Sequence, residues 1–160
     1  MSPRRALRTG VLLAAVGLAL AGCGGEGDAG PGPGAPDLRV SAAQASAPVA
    51  GTSQLVVSIE NRGDGDDRLV AAETDAALAV EIHRTVIEDD GRAVMRLLED
   101  VVLPAGDTVR FRPGGLHLMV VVPDERVVLG GTFDVTLRFE RSAPVTVTAE
   151  VVDLLDLVED

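Results

Sequence analysis

Apolar and polar residues alternate strictly along several short segments of this chain. The clearest case is Thr132–Glu140, where every second residue is apolar and the residues between them are polar. The same alternation recurs in Val145–Val151 and Leu55–Ile59. Side chains of a strand point alternately to the two faces of a sheet, so this pattern predicts strands with one buried face. Turns rich in Gly, Pro and Asp separate the segments, which predicts an all-β domain, an antiparallel sandwich or barrel.

Two further predicted strands, Ala79–Ile87 and Ala93–Glu99, flank the turn sequence Glu88–Arg92 and predict a hairpin. Ala71–Ala79 is the one segment whose pattern favours a helix. The chain has three phenylalanines and neither tyrosine nor tryptophan, so we expect a core built mostly of Val, Leu and Ala.

The N-terminus has the pattern of an export signal. Arg4, Arg5 and Arg8 precede an uninterrupted run of small apolar residues, Val11–Leu20, which is too short to span a bilayer and is typical of a signal peptide. The run ends in Leu-Ala-Gly-Cys, which resembles the lipobox of bacterial lipoproteins and predicts lipidation of Cys23. The alternative is an ordinary secretory signal in which the cysteine is incidental.

These features predict four regions: a lipoprotein signal peptide at 1–22, the lipidated cysteine with a Gly/Pro-rich tether at 23–36, a β-domain at 37–152 and an acidic C-terminal tail at 153–160. We expect an extracytoplasmic monomer that is lipid-anchored to the bacterial cell membrane. The formal net charge is −11 and there is no lysine, which argues against nucleic-acid binding. Cys23 is the only cysteine, so a disulfide within the chain is excluded.

After the initiator Met1, every histidine and methionine falls in one window: His83, Met95, His117 and Met119. His117 and Met119 lie two residues apart in a predicted strand, so they share a face, opposite a buried face formed by their apolar neighbours. His83 and Met95 flank the hairpin turn symmetrically about Asp89, which predicts that they are cross-strand neighbours.

Imidazole and thioether are soft donors, which favour reduced copper over magnesium or calcium. Outside the cytoplasm a thiolate is prone to oxidation. A thioether is soft and neutral, and it binds a metal without losing a proton. We therefore expect an exposed Cu(I) site whose affinity falls when the histidines are protonated. Taken singly, each methionine could fill a gap in the core and each histidine could be an ordinary hydrogen-bonded residue. Core filling does not explain why methionine is absent from the rest of the mature chain.

The motif itself resembles the periplasmic copper chaperone family PCu(A)C. Eleven residues separate His83 from Met95 and twenty-one separate Met95 from His117, followed by His-x-Met, as in that family. The phrases Leu-Pro-Ala-Gly at 103–106 and Pro-Gly-Gly-Leu-His-Leu-Met at 113–119 are also similar to it. The resemblance covers roughly residues 50–150.

This resemblance implies a cupredoxin-like, antiparallel Greek-key sandwich or barrel that binds Cu(I) through His83, Met95, His117 and Met119. It also implies delivery of copper to an envelope acceptor, such as the Cu(A) centre of cytochrome c oxidase or its assembly factors. One departure is Arg84, because the family often has methionine directly after the first histidine. No His/Met-rich tail follows the domain, so a second site, one that binds Cu(II), is not expected.

Other functions find less support. The chain has no Gly-x-Ser-x-Gly elbow and no phosphate-binding glycine loop, and lipidation of Cys23 would leave no cysteine nucleophile, which argues against an enzyme. Blue-copper electron transfer also finds little support, because such a site requires a cysteine thiolate. The acidic run Asp64–Asp67 lacks the ligand spacing of a calcium loop, so we expect a solvated turn there. The alternative that remains is a metal-free β-sandwich lipoprotein acting as a protein-interaction module of the cell envelope.

Overall fold

The computed structural model describes residues 34–158, so the predicted signal peptide, Cys23 and most of the tether lie outside the described residues. Ten strands and one short 3₁₀ helix, Asp156–Val158, make up this part of the chain. None of its helices is long and apolar enough to cross a membrane. The strands are β1 Leu38–Ser46, β2 Thr52–Asn61, β3 Asp67–Glu73, β4 Ala77–Ile87, β5 Ala93–Leu97, β6 Val101–Leu103, β7 Thr108–Arg110, β8 Leu116–Pro123, β9 Thr132–Phe139 and β10 Val145–Val152.

Seven of these strands close into a barrel in the order β4-β8-β2-β1-β10-β9-β3, and β3 pairs back to β4. The short strands β5, β6 and β7 pair with β4, β3 and β2. The predicted all-β fold is confirmed. The strand pairs are antiparallel, as predicted, except that β1 runs parallel to β10. These two strands are the first and the last in the sequence, so no hairpin connects them and their pairing can be parallel.

The core fills the barrel with the residues that the alternation assigned to it. Leu55, Leu69, Leu118, Val135 and Leu137 have no exposed surface. Burying one such side chain contributes about 1.5–3 kcal/mol relative to leaving it in water. The described segment contains no disulfide, so this apolar packing is the main source of stability for the rigid barrel.

The segment Ala71–Ala79 is not helical, contrary to the expectation from its sequence. Its residues end β3 and begin β4, and Ala72 pairs with both Val80 and Leu137. Pairing on both sides buries Ala72, and this tertiary burial outweighs a weak local helix preference. At the other end of the domain, Leu157 is buried although it lies in the acidic segment assigned to a tail.

The acidic turn between β2 and β3 is not simply solvated, because Asp67 is buried. Its carboxylate accepts hydrogen bonds from the backbone N–H groups of Arg68, Arg141 and Ser142 and from the Ser142 hydroxyl, at 2.5–3.0 Å. These contacts join the start of β3 to the β9–β10 turn. Asp67 therefore has a structural role that its sequence context does not indicate.

Candidate metal centre

The four predicted ligands lie on three adjacent strands, with β4 between β5 and β8. His83 on β4 pairs directly with His117 on β8, and Glu81 pairs with Met119. Residues paired across an antiparallel ladder point to the same face of the sheet. The partners Ile82 and Leu118 point into the core, so His83, His117 and Met119 lie together on the outer face of the barrel.

Met95 reaches the same face, but not at the predicted position. Met95 pairs with Thr85, and His83 pairs with Leu97. The predicted His83–Met95 pair is therefore wrong by a register shift of two residues. The turn is centred on residue 90 and not on residue 89, because Gly91 adopts a positive φ of 83° and completes a three-residue loop. Met95 is consequently a diagonal neighbour of His83, which long side chains can still reach.

The four predicted ligands differ in their exposure to solvent. The exposed fraction is 1% for His117 and 7% for Met119, but 53% for Met95. β8 lies inside the sheet with β2 on its far side, whereas β5 is an edge strand. The predicted exposed site is therefore wrong for the β8 half, and solvent reaches the cluster mainly from β5.

Hydrogen bonds fix the tautomer of both imidazoles. Nε2–H of His83 donates to a carboxylate oxygen of Glu81 at 2.9 Å, and Nδ1–H of His117 donates to the carbonyl oxygen of Gly115 at 3.1 Å. Carboxylates and carbonyls only accept, so these ring nitrogens carry the protons. In the neutral rings the lone pairs therefore reside on Nδ1 of His83 and Nε2 of His117.

Those two nitrogens are buried and have no hydrogen-bond partner among the described residues. The two rings meet edge to face with their centroids 5.9 Å apart. Buried polar atoms without partners are rare because they lose hydration without compensation. Two adjacent unpaired imidazole nitrogens have the donor chemistry of a metal site.

Burial also prepares His117 to bind a cation. It disfavours the charged imidazolium and lowers the pKa of His117, and the neighbouring His83 acts in the same direction. The hydrogen bond to Gly115 opposes the shift without cancelling it. The lowered pKa favours the neutral imidazole of His117, whose lone pair is available.

Two thioethers lie beside the imidazoles as candidate further donors. Across residues 34–158, no group of three or more His, Cys, Asp or Glu residues is placed to hold a metal ion. Two imidazoles alone would leave a metal shell incomplete, and the strand register places the side chains of Met95 and Met119 on the same face as the imidazoles. The donor set is soft, which fits Cu(I) and not a hard cation.

Sequence reasoning missed two polar residues of this face. Glu81 had a usable signal, because it lies two residues before His83, which is the same spacing that linked His117 to Met119. Gln54 on β2 pairs with Met119, and its side-chain oxygen is buried without a partner in the described part of the chain. No local pattern indicates Gln54, since its place depends on pairing between distant strands.

The departure at Arg84 lies away from the cluster. Arg84 pairs with Arg96 and Leu116, and strand alternation places these side chains on the face opposite His83.

Comparison with known proteins shows a lipoprotein family over most of this chain. The family profile described as "Putative lipoprotein LpqE-like" matches residues 37–151. The protein named "Putative lipoprotein Lxx21020" of Leifsonia xyli subsp. xyli (strain CTCB07) is 30% identical over 144 residues, which cover 88% of this chain and 87% of that protein.

Solved structures with a similar fold include PCuAC domains and the protein DR1885. The copper-bound PCuAC domain from PmoF2 has a TM-score of 0.61 at 24% identity, covering 72% of this chain and 92% of that domain. The apo PCuAC domain from PmoF1 has a TM-score of 0.61 at 25% identity, covering 72% and 93%. The Cu(I) form of DR1885 from Deinococcus radiodurans has a TM-score of 0.57 at 24% identity, covering 69% and 75%. The resemblance to the PCu(A)C family is thereby confirmed in the fold.

Proposed function

We propose that this chain, which belongs to the LpqE-like family of lipoproteins, is an extracytoplasmic copper chaperone that binds Cu(I) through His83, Met95, His117 and Met119. The observation that carries the proposal is the pair of buried, unpartnered imidazole nitrogens, which share one face of the barrel with two thioethers. Similar folds have been solved with copper bound, namely the PmoF2 domain and DR1885. Those structures support the copper assignment for this chain.

The burial gradient suggests how copper is taken up and released. His117 and Met119, which are buried, and His83, whose side chain is 15% exposed, form the inner part of the donor set, and Met95 closes it from the edge strand. Cu(I) is stable with three soft donors as well as four. An acceptor ligand can therefore displace Met95 while the three inner residues still hold the ion, so the metal is never released free.

The proposed location and acceptor follow from the rest of the chain. Lipidation of Cys23 would anchor the domain at the outer surface of the cell membrane through the tether that ends at residue 36. The acceptor we propose is a copper protein of the envelope, such as the Cu(A) centre of cytochrome c oxidase or one of its assembly factors. Deleting the gene should lower oxidase activity in copper-poor medium, and added copper should restore it. Unchanged activity would assign the protein to copper buffering.

A Cu(I) competition titration tests the binding itself. The protein is the chain from residue 24 onward, which keeps the whole domain and lacks the lipidated cysteine. A Cu(I) chelator of known affinity competes with the wild type and with the His83→Ala/His117→Ala double variant. We expect one equivalent of Cu(I) bound tightly by the wild type and lost from the variant. Equal binding by both would leave the metal-free interaction module as the better account.

A further inference from the structure

We infer that Glu81 is a positioning residue of this centre: its carboxylate holds His83 so that Nδ1, and not Nε2, faces the incoming ion. The inference rests on the proposed function and extends it to a residue outside the four-residue motif. Its basis is the 2.9 Å hydrogen bond from Nε2–H of His83 to Glu81, together with the buried, unpartnered Nδ1 on the other side of the ring.

The strand geometry keeps this contact in place. Glu81 and His83 are successive residues on the outer face of β4, and they pair with Met119 and His117 on β8. The pairing of β4 with β8 therefore fixes the backbone at both Glu81 and His83. The carboxylate of Glu81 lies within hydrogen-bond distance of the His83 ring. A histidine that binds a metal commonly donates its other N–H to a carboxylate, which fixes ring orientation and raises ligand basicity.

The two histidines are held in different ways. His117 donates to the backbone carbonyl of Gly115, in the turn that precedes β8, so substitution of a side chain cannot remove that acceptor. His83 depends on the side chain of Glu81, which is partly exposed. His83 is consequently the ligand whose orientation a single substitution can release. This asymmetry makes the role of Glu81 testable without disturbing His117.

Two conservative variants separate orientation from charge. Glu81→Gln keeps an acceptor oxygen at the same reach and removes the charge. Glu81→Asp keeps the charge and draws the acceptor back by one methylene group. If Glu81 acts by positioning, Cu(I) affinity falls by about 10- to 100-fold in Glu81→Ala and Glu81→Asp and is largely retained in Glu81→Gln. The opposite order, with Glu81→Asp retained and Glu81→Gln lost, would show a charge effect and overturn the inference.

A second readout examines the apo protein and needs no copper. In ¹⁵N-edited NMR spectra, the Nε2–H proton of His83 should be visible and slow to exchange in the wild type and in Glu81→Gln. It should be lost to exchange with water in Glu81→Ala. A wild-type ring that carries its proton on Nδ1 would contradict the inference.

Glu150→Ala is the control, because Glu150 is also a glutamate in the middle of a strand, but it is exposed and lies on β10, on the far side of the barrel. It should change neither Cu(I) affinity nor the His83 signal. Copper binding by the wild type with equal affinity in every Glu81 variant would refute the role of Glu81 alone. Failure of the wild type to bind Cu(I) more tightly than the double histidine variant would refute the proposed function, while the NMR result would still judge Glu81.

Discussion

His83 and His117 face each other directly across neighbouring strands, with their ring planes inclined at 70° and their centroids 5.9 Å apart. Thirty-three residues separate them along the chain, and no hairpin joins their strands. The barrel brings together two histidines whose free nitrogens both lack a partner in the described region, and this contact is the centre of the proposed site.

The two methionines should contribute unequally to copper binding. Met119→Leu, at a buried position, should weaken Cu(I) binding by about tenfold or more, which corresponds to about 1.4 kcal/mol. Met95→Leu should weaken it less and should speed Cu(I) transfer to a chelator, because the exposed donor is the one that an acceptor replaces. Stopped-flow transfer rates and competition titrations measure both effects. Leucine is close to methionine in volume, so stability should change by less than about 1.5 kcal/mol. Equal effects at the two positions would contradict the burial gradient.

The apo protein should lose stability in mild acid through His117. Its pKa is lowered in the folded state, so the unfolded chain takes up a proton near pH 6.5 while the folded chain does not. The free energy of unfolding therefore falls as the pH drops below this value, until the folded state is protonated as well. Urea unfolding at pH 7.5 and pH 5.5 should show a smaller decrease for His117→Gln than for the wild type. The same decrease in both proteins would assign the acid sensitivity to other groups.

Asp67 should be a major contributor to stability at neutral pH. Burial opposes its ionisation, but the hydrogen bonds from Ser142, Arg68 and Arg141 outweigh burial and lower its pKa. Its contribution is thus present above the unfolded pKa, near 3.8, and is lost as the pH falls through the lower folded value.

Asp67→Asn should cost about 1–3 kcal/mol at pH 7, because the amide nitrogen cannot accept the N–H groups that point at it. Denaturant unfolding at pH 7 and pH 3 would measure this cost, which should shrink at the lower pH. Asp64→Asn is the control, since Asp64 belongs to the same turn and is exposed. A loss as large in Asp64→Asn would mean that the charge of the turn, and not the buried network, is what matters.

Arg84→Met tests whether the departure from the family motif affects the site. The side chain at this position lies on the face opposite His83, so a methionine there should not reach the ion. We expect a change in Cu(I) affinity of no more than about twofold, within the usual range of about 0.5 kcal/mol for surface substitutions. A competition titration against the wild type measures it. A clear gain in affinity would mean that the strand can rotate or that residue 84 can supply a further thioether.

Several parts of this protein could be predicted from short-range patterns. The alternation in Thr132–Glu140 and Val145–Val151 gave strands β9 and β10 almost to the residue. The pairing of His117 with Met119 on one face followed from the two-residue period of a strand. The predicted register of the β4–β5 hairpin was wrong by two residues, because the loop length depends on the positive φ of Gly91. The helical preference of Ala71–Ala79 was overruled by pairing on both sides of Ala72.

The sequence by itself determined which residues can serve as soft ligands, which strands carry them and which side of each strand they occupy, because these depend on local composition and a two-residue period. Only the tertiary structure decided that β4 lies between β5 and β8, that His83 faces His117, and that Met119 is buried while Met95 is exposed. It also decided which nitrogen of each imidazole is free. Strand order and register follow from closing the barrel around one core, and that closure is a property of the whole chain.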